Sequence, residues 1–249
     1  EKVEELAEIL GADVAVYDGW AGRLAKRAFL DIPVRESEDA TASVIHLKRH
    51  RALLRVLARY AAATPRKGKV RVKREDLHHF FGDSAWMDKV VDASEGAIPS
   101  RAVQQVTTHT AVQFADTTEA SHSHVVDAAR LQTVDGRAID AGTRLNDAKT
   151  VDAEDYAVLF ELDRLRAQGR GEATPALPRS YDLVIVDEAQ ELAPLELRLL
   201  GRSIVSGGTL VVAGDAGQQV DTAACFTDWA TTMRDLGARD HHVAELTTL

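Results

Sequence analysis

One cysteine, Cys225, stands in 249 residues, which excludes an intrachain disulfide framework and suits a reducing, cytoplasmic setting. Nothing around it resembles a protease signature, so it reads as a small buried side chain. No apolar run comes near the roughly 20 residues that a membrane-spanning helix needs. The opening Glu1-Lys2-Val3-Glu4-Glu5 has no signal-peptide form and no initiator Met, which predicts a chain that begins within a longer protein. A GxxxxGKS/T phosphate loop is missing: Arg66-Lys67-Gly68-Lys69-Val70 lacks the first glycine and the closing Ser or Thr. His78-His79, His122 with His124, and His241-His242 lack the spacings of known zinc sites, so solvated or structural histidines are expected there.

What is present is ordinary globular material. The chain is 45% hydrophobic and 28% charged, enough for one large domain or two small ones. A net charge of −9 argues against a protein coated in nucleic acid but leaves room for a local basic groove. Basic residues crowd between Lys48 and Arg74, where a phosphate-tracking surface and a solvated helix face are both open readings. Asp116 to Asp155 is mainly acidic, so different segments are expected to meet different partners.

Periodicity predicts helices over residues 1–10 (stopped at Gly11), Gly19 to Phe29, Thr41 to Tyr60, Arg74 to Val91, and Pro99 to about Phe114. Asp13 to Tyr17 reads as a short strand. Residues 116–150 hold few large apolar side chains and read as loops. Asp152 is a good cap for a helix over Ala153 to Gln168, and Gly169 to Arg179 reads as a linker. Strand-like runs follow at Leu183 to Val186, Thr209 to Ala213 and Val243 to Leu246, separated by helical stretches. Continuously apolar strands alternating with helices predict an α/β parallel sheet covered on both faces.

Two of these strands end in polar residues suited to chemistry. Tyr181 to Gln190, YDLVIVDEAQ, closes in Asp187-Glu188. Ligands of open parallel sheets bind beyond the carboxyl ends of strands. There, one carboxylate can hold Mg2+ through water and a second can orient or deprotonate an attacking water. The plain alternative is an acidic helix N-terminus favoured by the helix dipole. Thr209 to Val220, TLVVAGDAGQQV, closes in Gly214-Asp215 and a glutamine, Gln218, able to sense a γ-phosphate; its plain alternative is a strand and turn bent by Gly214 and Gly217.

Together, the tetrad Asp187-Glu188-Ala189-Gln190 and the run Gly214-Asp215-Ala216-Gly217-Gln218 resemble motifs II and III of UvrD/Rep-type superfamily 1 helicases. Val14 to Leu24 is similar to the segment of that family that contacts single-stranded DNA, which marks Tyr17, Asp18 and Trp20; Tyr17-Asp18 stand where the family usually has Phe-His. Phe226-Thr227-Asp228-Trp229 resembles the Phe-x-x-Trp signature of the HelD-like (helicase IV-like) branch, as does the run Asp116-Thr117-Thr118 through Asp140.

The resemblance implies a partial RecA-like (P-loop NTPase) fold in two parts, residues 1–35 and 151–249, with a mostly helical insertion over 36–150. It implies ATP and Mg2+ as cofactors, with Mg2+ held by Asp187 through water. The roles implied are catalysis for Asp187, Glu188, Gln190 and Gln218, and nucleotide binding for Gly214 and Asp215. The expected activity is ATP-driven movement on DNA, a helicase or translocase, with the phosphate loop lying outside this chain. The alternative is an RNA polymerase-associated recycling factor that uses ATP as a conformational switch and contacts polymerase through 36–150. A degenerate ATPase fold kept as a scaffold is the third reading.

Overall fold

In a computed structural model of the chain, residues 12–38, 40–65, 71–115, 148–172, 180–220, 222–238 and 240–245 are described. They form a mixed α/β structure. Seven helices come first: α1 (Tyr17–Ala28), α2 (Ala42–Arg49), α3 (Ala52–Ala63), α4 (Glu75–Phe81), α5 (Ser84–Ala93), α6 (Arg101–Gln113) and α7 (Ala153–Gly169). Then follow β1 (Tyr181–Val186), α8 (Pro194–Arg202), β2 (Ile204–Val212) and α9 (Trp229–Asp235).

Local chemistry sets the helix starts. The Asp155 carboxylate accepts the Asp152 N–H at 3.1 Å and so closes the first turn of α7. Pro194 occupies the first turn of α8, where its missing N–H costs nothing, and Glu196 accepts the Ala193 N–H at 2.7 Å. Asp228 caps α9 by accepting the Thr231 N–H at 2.7 Å.

Several boundaries differ from the sequence expectation. The helix expected over Thr41 to Tyr60 is two helices, broken at His50, whose backbone is extended (φ −69°, ψ 142°). The imidazole Nδ1 of His50 accepts the Ala52 N–H at 3.1 Å and caps α3. The helix expected over Arg74 to Val91 breaks at Gly82-Asp83, and Asp83 accepts the Ala85 N–H at 2.8 Å to start α5. Asp13 to Val16 is irregular rather than a strand, and Tyr17 already belongs to α1; Val14 and Val16 face solvent, so nothing rewards extended pairing there. Residues 243–245 form no strand. The helix expected over 1–10 lies outside the described residues, as do 116–147 of the loop region and 173–179 of the linker.

One continuous apolar core runs from Trp20 through α2–α6 to α7 and Leu199. Phe29 meets Phe160 edge-on at 4.9 Å, and Tyr60 packs between Phe80 at 4.8 Å and Trp86 at 5.3 Å. Gly22 lets α1 close onto α7, since a Cβ there would lie 3.1 Å from the Tyr156 ring. Inside this core sits an ionic knot. Lys48 donates to Asp152 and, at 2.7 Å, to Asp155; Asp152 also meets His109 at 3.0 Å and accepts from Gln113 at 2.8 Å. Lys48, Asp152 and Asp155 are buried.

The strands β1 and β2 pair in parallel, with Leu183 opposite Thr209 and Val186 opposite Val212. Val186 is buried and Val184, Leu210 and Val212 are half-buried, whereas Leu183 (52% exposed), Ile185 (66%) and Val211 (46%) face solvent. Among the described residues, helices therefore cover one face of the sheet rather than the expected two.

Candidate functional site

The parallel register brings β1 and β2 to an end side by side. The Ala213 N–H donates to the Val186 carbonyl at 2.8 Å, and the Ala189 N–H returns to the Ala213 carbonyl at 3.1 Å. These two bonds fold the chain after β1 over the end of β2. Glu188 makes the bend, in the left-handed region at φ 51°, ψ 41°. A non-glycine residue there is uncommon and marks a position that its surroundings hold in place.

The carboxylates of Asp187 and Glu188 are exposed beyond the strand ends. Asp187 Oδ1 accepts the Glu188 N–H at 3.0 Å, and Glu188 Oε2 accepts from Gln190 Nε2. Gln190 is buried, and its Oε1 has no hydrogen-bond partner among the described residues. That oxygen lies against Gly214: a Cβ on residue 214 would sit 2.2 Å from it and 2.7 Å from Trp229 Cη2. Phe226 packs edge-on against Trp229 at 5.1 Å. The second turn is held by Asp215, whose carboxylate accepts the Gly217 N–H at 2.8 Å and the Gln218 Nε2 at 3.0 Å.

The fold thus gathers Asp187, Glu188, Gln190, Gly214, Asp215 and Gln218 at one edge of the sheet. Gln218 is exposed and bonded within its own turn rather than to Glu188 or Gln190. Two further residues tie the edge together. Glu191 Oε1 accepts the Val220 N–H at 2.6 Å and bridges the two turns. Arg49 donates to the Glu191 carbonyl and, at 3.1 Å, to the Glu196 carboxylate, anchoring α2 beneath the site. Glu191 directly follows the tetrad and could have been suspected; Arg49 lies 142 residues from its partner and carries no local signal.

The residues marked for nucleic acid lie on α1. Asp18 is exposed, Tyr17 is half-buried and Trp20 is buried. Trp20 Nε1 donates to the Tyr181 hydroxyl at 3.0 Å, which fastens α1 to the first residue of β1. Burial, with the Glu196 and Asp18 carboxylates nearby, holds the Tyr17 phenol well above its ordinary pKa. A cleft lined by Trp20, Arg23, Arg27 and Tyr181 opens under this helix, away from the two acidic turns.

At the start of the basic run the cations have partners within the chain. Lys48 is spent on Asp152 and Asp155, Arg49 on the site edge, and Arg51 on Asp235 at 2.6 Å. Arg74 donates to the carbonyls of Gln113 and Thr150. No protein family, no curated protein and no solved structure matches this chain.

Proposed function

We propose that the chain is part of an ATP-hydrolysing motor on DNA, a helicase or translocase of the UvrD/Rep superfamily 1 type in its HelD-like branch. The observation that supports this is the meeting of two motif-bearing turns at the carboxyl edge of a parallel strand pair, with Gln190 lodged against Gly214. That edge is where α/β sheets take their ligands.

The donor set fits Mg2+ and a nucleotide. Asp187 presents exposed hard oxygens suited to Mg2+ through water, and the unpartnered acceptor Gln190 Oε1 suits a bound water, which can donate to it. When bound, ATP with Mg2+ supplies the hydrolysable anhydride and offsets the phosphate charge. In this reading Glu188, held by Gln190, orients or deprotonates the attacking water, and Gly214 gives close backbone approach. Asp215 sets the turn that carries Gln218 as the γ-phosphate sensor. In this reading the two strands belong to a RecA-like sheet.

The RNA polymerase reading gains no support from the described residues. Two of the acids that motivate it, Asp152 and Asp155, are buried against Lys48 rather than displayed, and residues 116–147 lie outside the described set.

In the full-length protein, Glu188→Gln is expected to abolish ATP turnover and spare nucleotide binding. Turnover near the wild-type rate in that variant would overturn the assignment.

A further inference from the structure

His46 and His50 lie one helical turn apart at the end of α2 and its cap. Their rings meet edge-on at 5.5 Å. Cys225 approaches them from the segment after β2, and one ligand atom from each of the three residues lies within 4.8 Å of the other two. All three are half-buried. Cys225 is held in the left-handed region at φ 57°, an uncommon conformation for a residue with a Cβ, just after the 3-10 turn Thr222–Ala224 that packs on α2. Two imidazoles of one helix end and a thiol 175 or more residues further along the chain are a borderline-soft donor set of the kind that takes Zn2+.

We propose that His46, His50 and Cys225 form a Zn2+ site that clamps the segment after the Gly214–Gln218 turn onto α2. Tetrahedral Zn2+ bonds of about 2.0–2.3 Å place ligand atoms roughly 3.3–3.6 Å apart. Closing the cluster on an ion therefore asks for a contraction of about 1 Å, within reach of side-chain rotation. Binding has a defined balance. Cys225 Sγ gives up its proton to solvent and, with it, the hydrogen bond it donates to the Ala223 carbonyl at 3.3 Å. His50 coordinates as the neutral ring. Through Nδ1 it loses the lone pair that accepts the Ala52 N–H, and through Nε2 it carries a proton on Nδ1. Either route releases the cap on α3. A solvent molecule completes the tetrahedron, since three protein ligands leave one position open. The ion tethers the segment carrying Phe226 and Trp229, and Trp229 borders Gly214. The clamp stands on its own geometry and does not depend on the ATPase reading.

The test is titration of the full chain with Co2+ as a spectroscopic stand-in, followed by Zn2+ competition. One equivalent of Co2+ with a thiolate-to-cobalt charge-transfer band, displaced by Zn2+, is expected. Cys225→Ser should abolish the band. His46→Ala should weaken Zn2+ binding by more than the roughly 10–100-fold that loss of an outer partner of a metal ligand costs. The amide resonance of Ala52 should shift as the His50 cap is released. Absence of binding, or binding without the thiolate band or persisting in Cys225→Ser, overturns the site. Should a variant fail to fold, alkylation of wild-type Cys225 decides instead: Zn2+ should slow it at least about tenfold, and an unchanged rate overturns the proposal.

Discussion

Gln190 Oε1 lies so close to the backbone of Gly214 that a Cβ on residue 214 would fall 2.2 Å away. Part of that conflict is with the end of a side chain that can move, and part is with Trp229 Cη2 at 2.7 Å. Gly214→Ala is therefore expected to destabilise the chain by about 1–3 kcal/mol, the range for overpacking a filled site. Trimming Gln190 to Ala should relieve some of this, so the pair should show a coupling of about 0.5 kcal/mol or more in a double-mutant cycle by denaturant unfolding. Strict additivity would mean that the two turns are not in contact.

Lys48 is expected to be among the most sensitive positions for stability. Lys48→Met leaves Asp152 and Asp155 buried without their cation, a loss of about 3–5 kcal/mol. Adding Asp155→Asn to that variant should restore part of the stability, since it removes one uncompensated charge. Unfolding midpoints of the two variants make the comparison; a destabilisation below about 1 kcal/mol for Lys48→Met would show that the knot is solvated.

Leu183 to Val186 and Thr209 to Ala213 are legible as strands because their apolar runs are short and continuous, although β1 already starts at Tyr181 and β2 runs from Ile204 to Val212. That the acidic and glycine turns after them meet at one edge was legible too, because parallel strands end side by side. Lys48 was not, because a lysine in a basic helix looks solvated until a chain segment more than 100 residues away delivers its two carboxylates. The break at Gly82-Asp83 had a local signal, a helix stop followed by a cap, outweighed by the apolar period on both sides. The break at His50 had no such signal: the imidazole accepts an N–H two residues on, but histidine is not among the side chains that commonly start helices. Asp13 to Val16 failed for the opposite reason, since alternating valines suggest a strand only where a partner strand exists.

The exposed sheet face carries its own consequence. Leu183, Ile185 and Val211 form an apolar strip on paired strands, the sort of surface that drives self-association. Ile185→Thr keeps a β-branched side chain and should leave the unfolding midpoint within about 0.5 kcal/mol of wild type, the usual range for surface changes. Light scattering at rising concentration should show less association for the variant. Equal association would place the sticky surface elsewhere.

Glu154 should give the chain a distinctive pH response. Burial raises its carboxyl to about 7, with Asp152 and Asp155 pushing the same way and Lys48 opposing. The folded chain then holds a proton between pH 4.5, the ordinary value, and about 7, where the unfolded chain has released it. The stability this proton confers is complete below about pH 4.5 and is lost as pH rises through 7. Asp152 does not blur this window, because Lys48 and His109 hold its carboxyl well below the usual range and it stays ionised throughout. Asp155 is raised by burial as well, so the Glu154 part must be isolated as a difference. Glu154→Gln should be less sensitive to pH than wild type between pH 5 and 8. The gap between the two proteins should change by about 2 kcal/mol across that range, given about 1.4 kcal/mol per pKa unit and a side chain that is partly exposed. Denaturant unfolding at each pH measures it, and parallel curves for the two proteins would show that Glu154 ionises as it does in water.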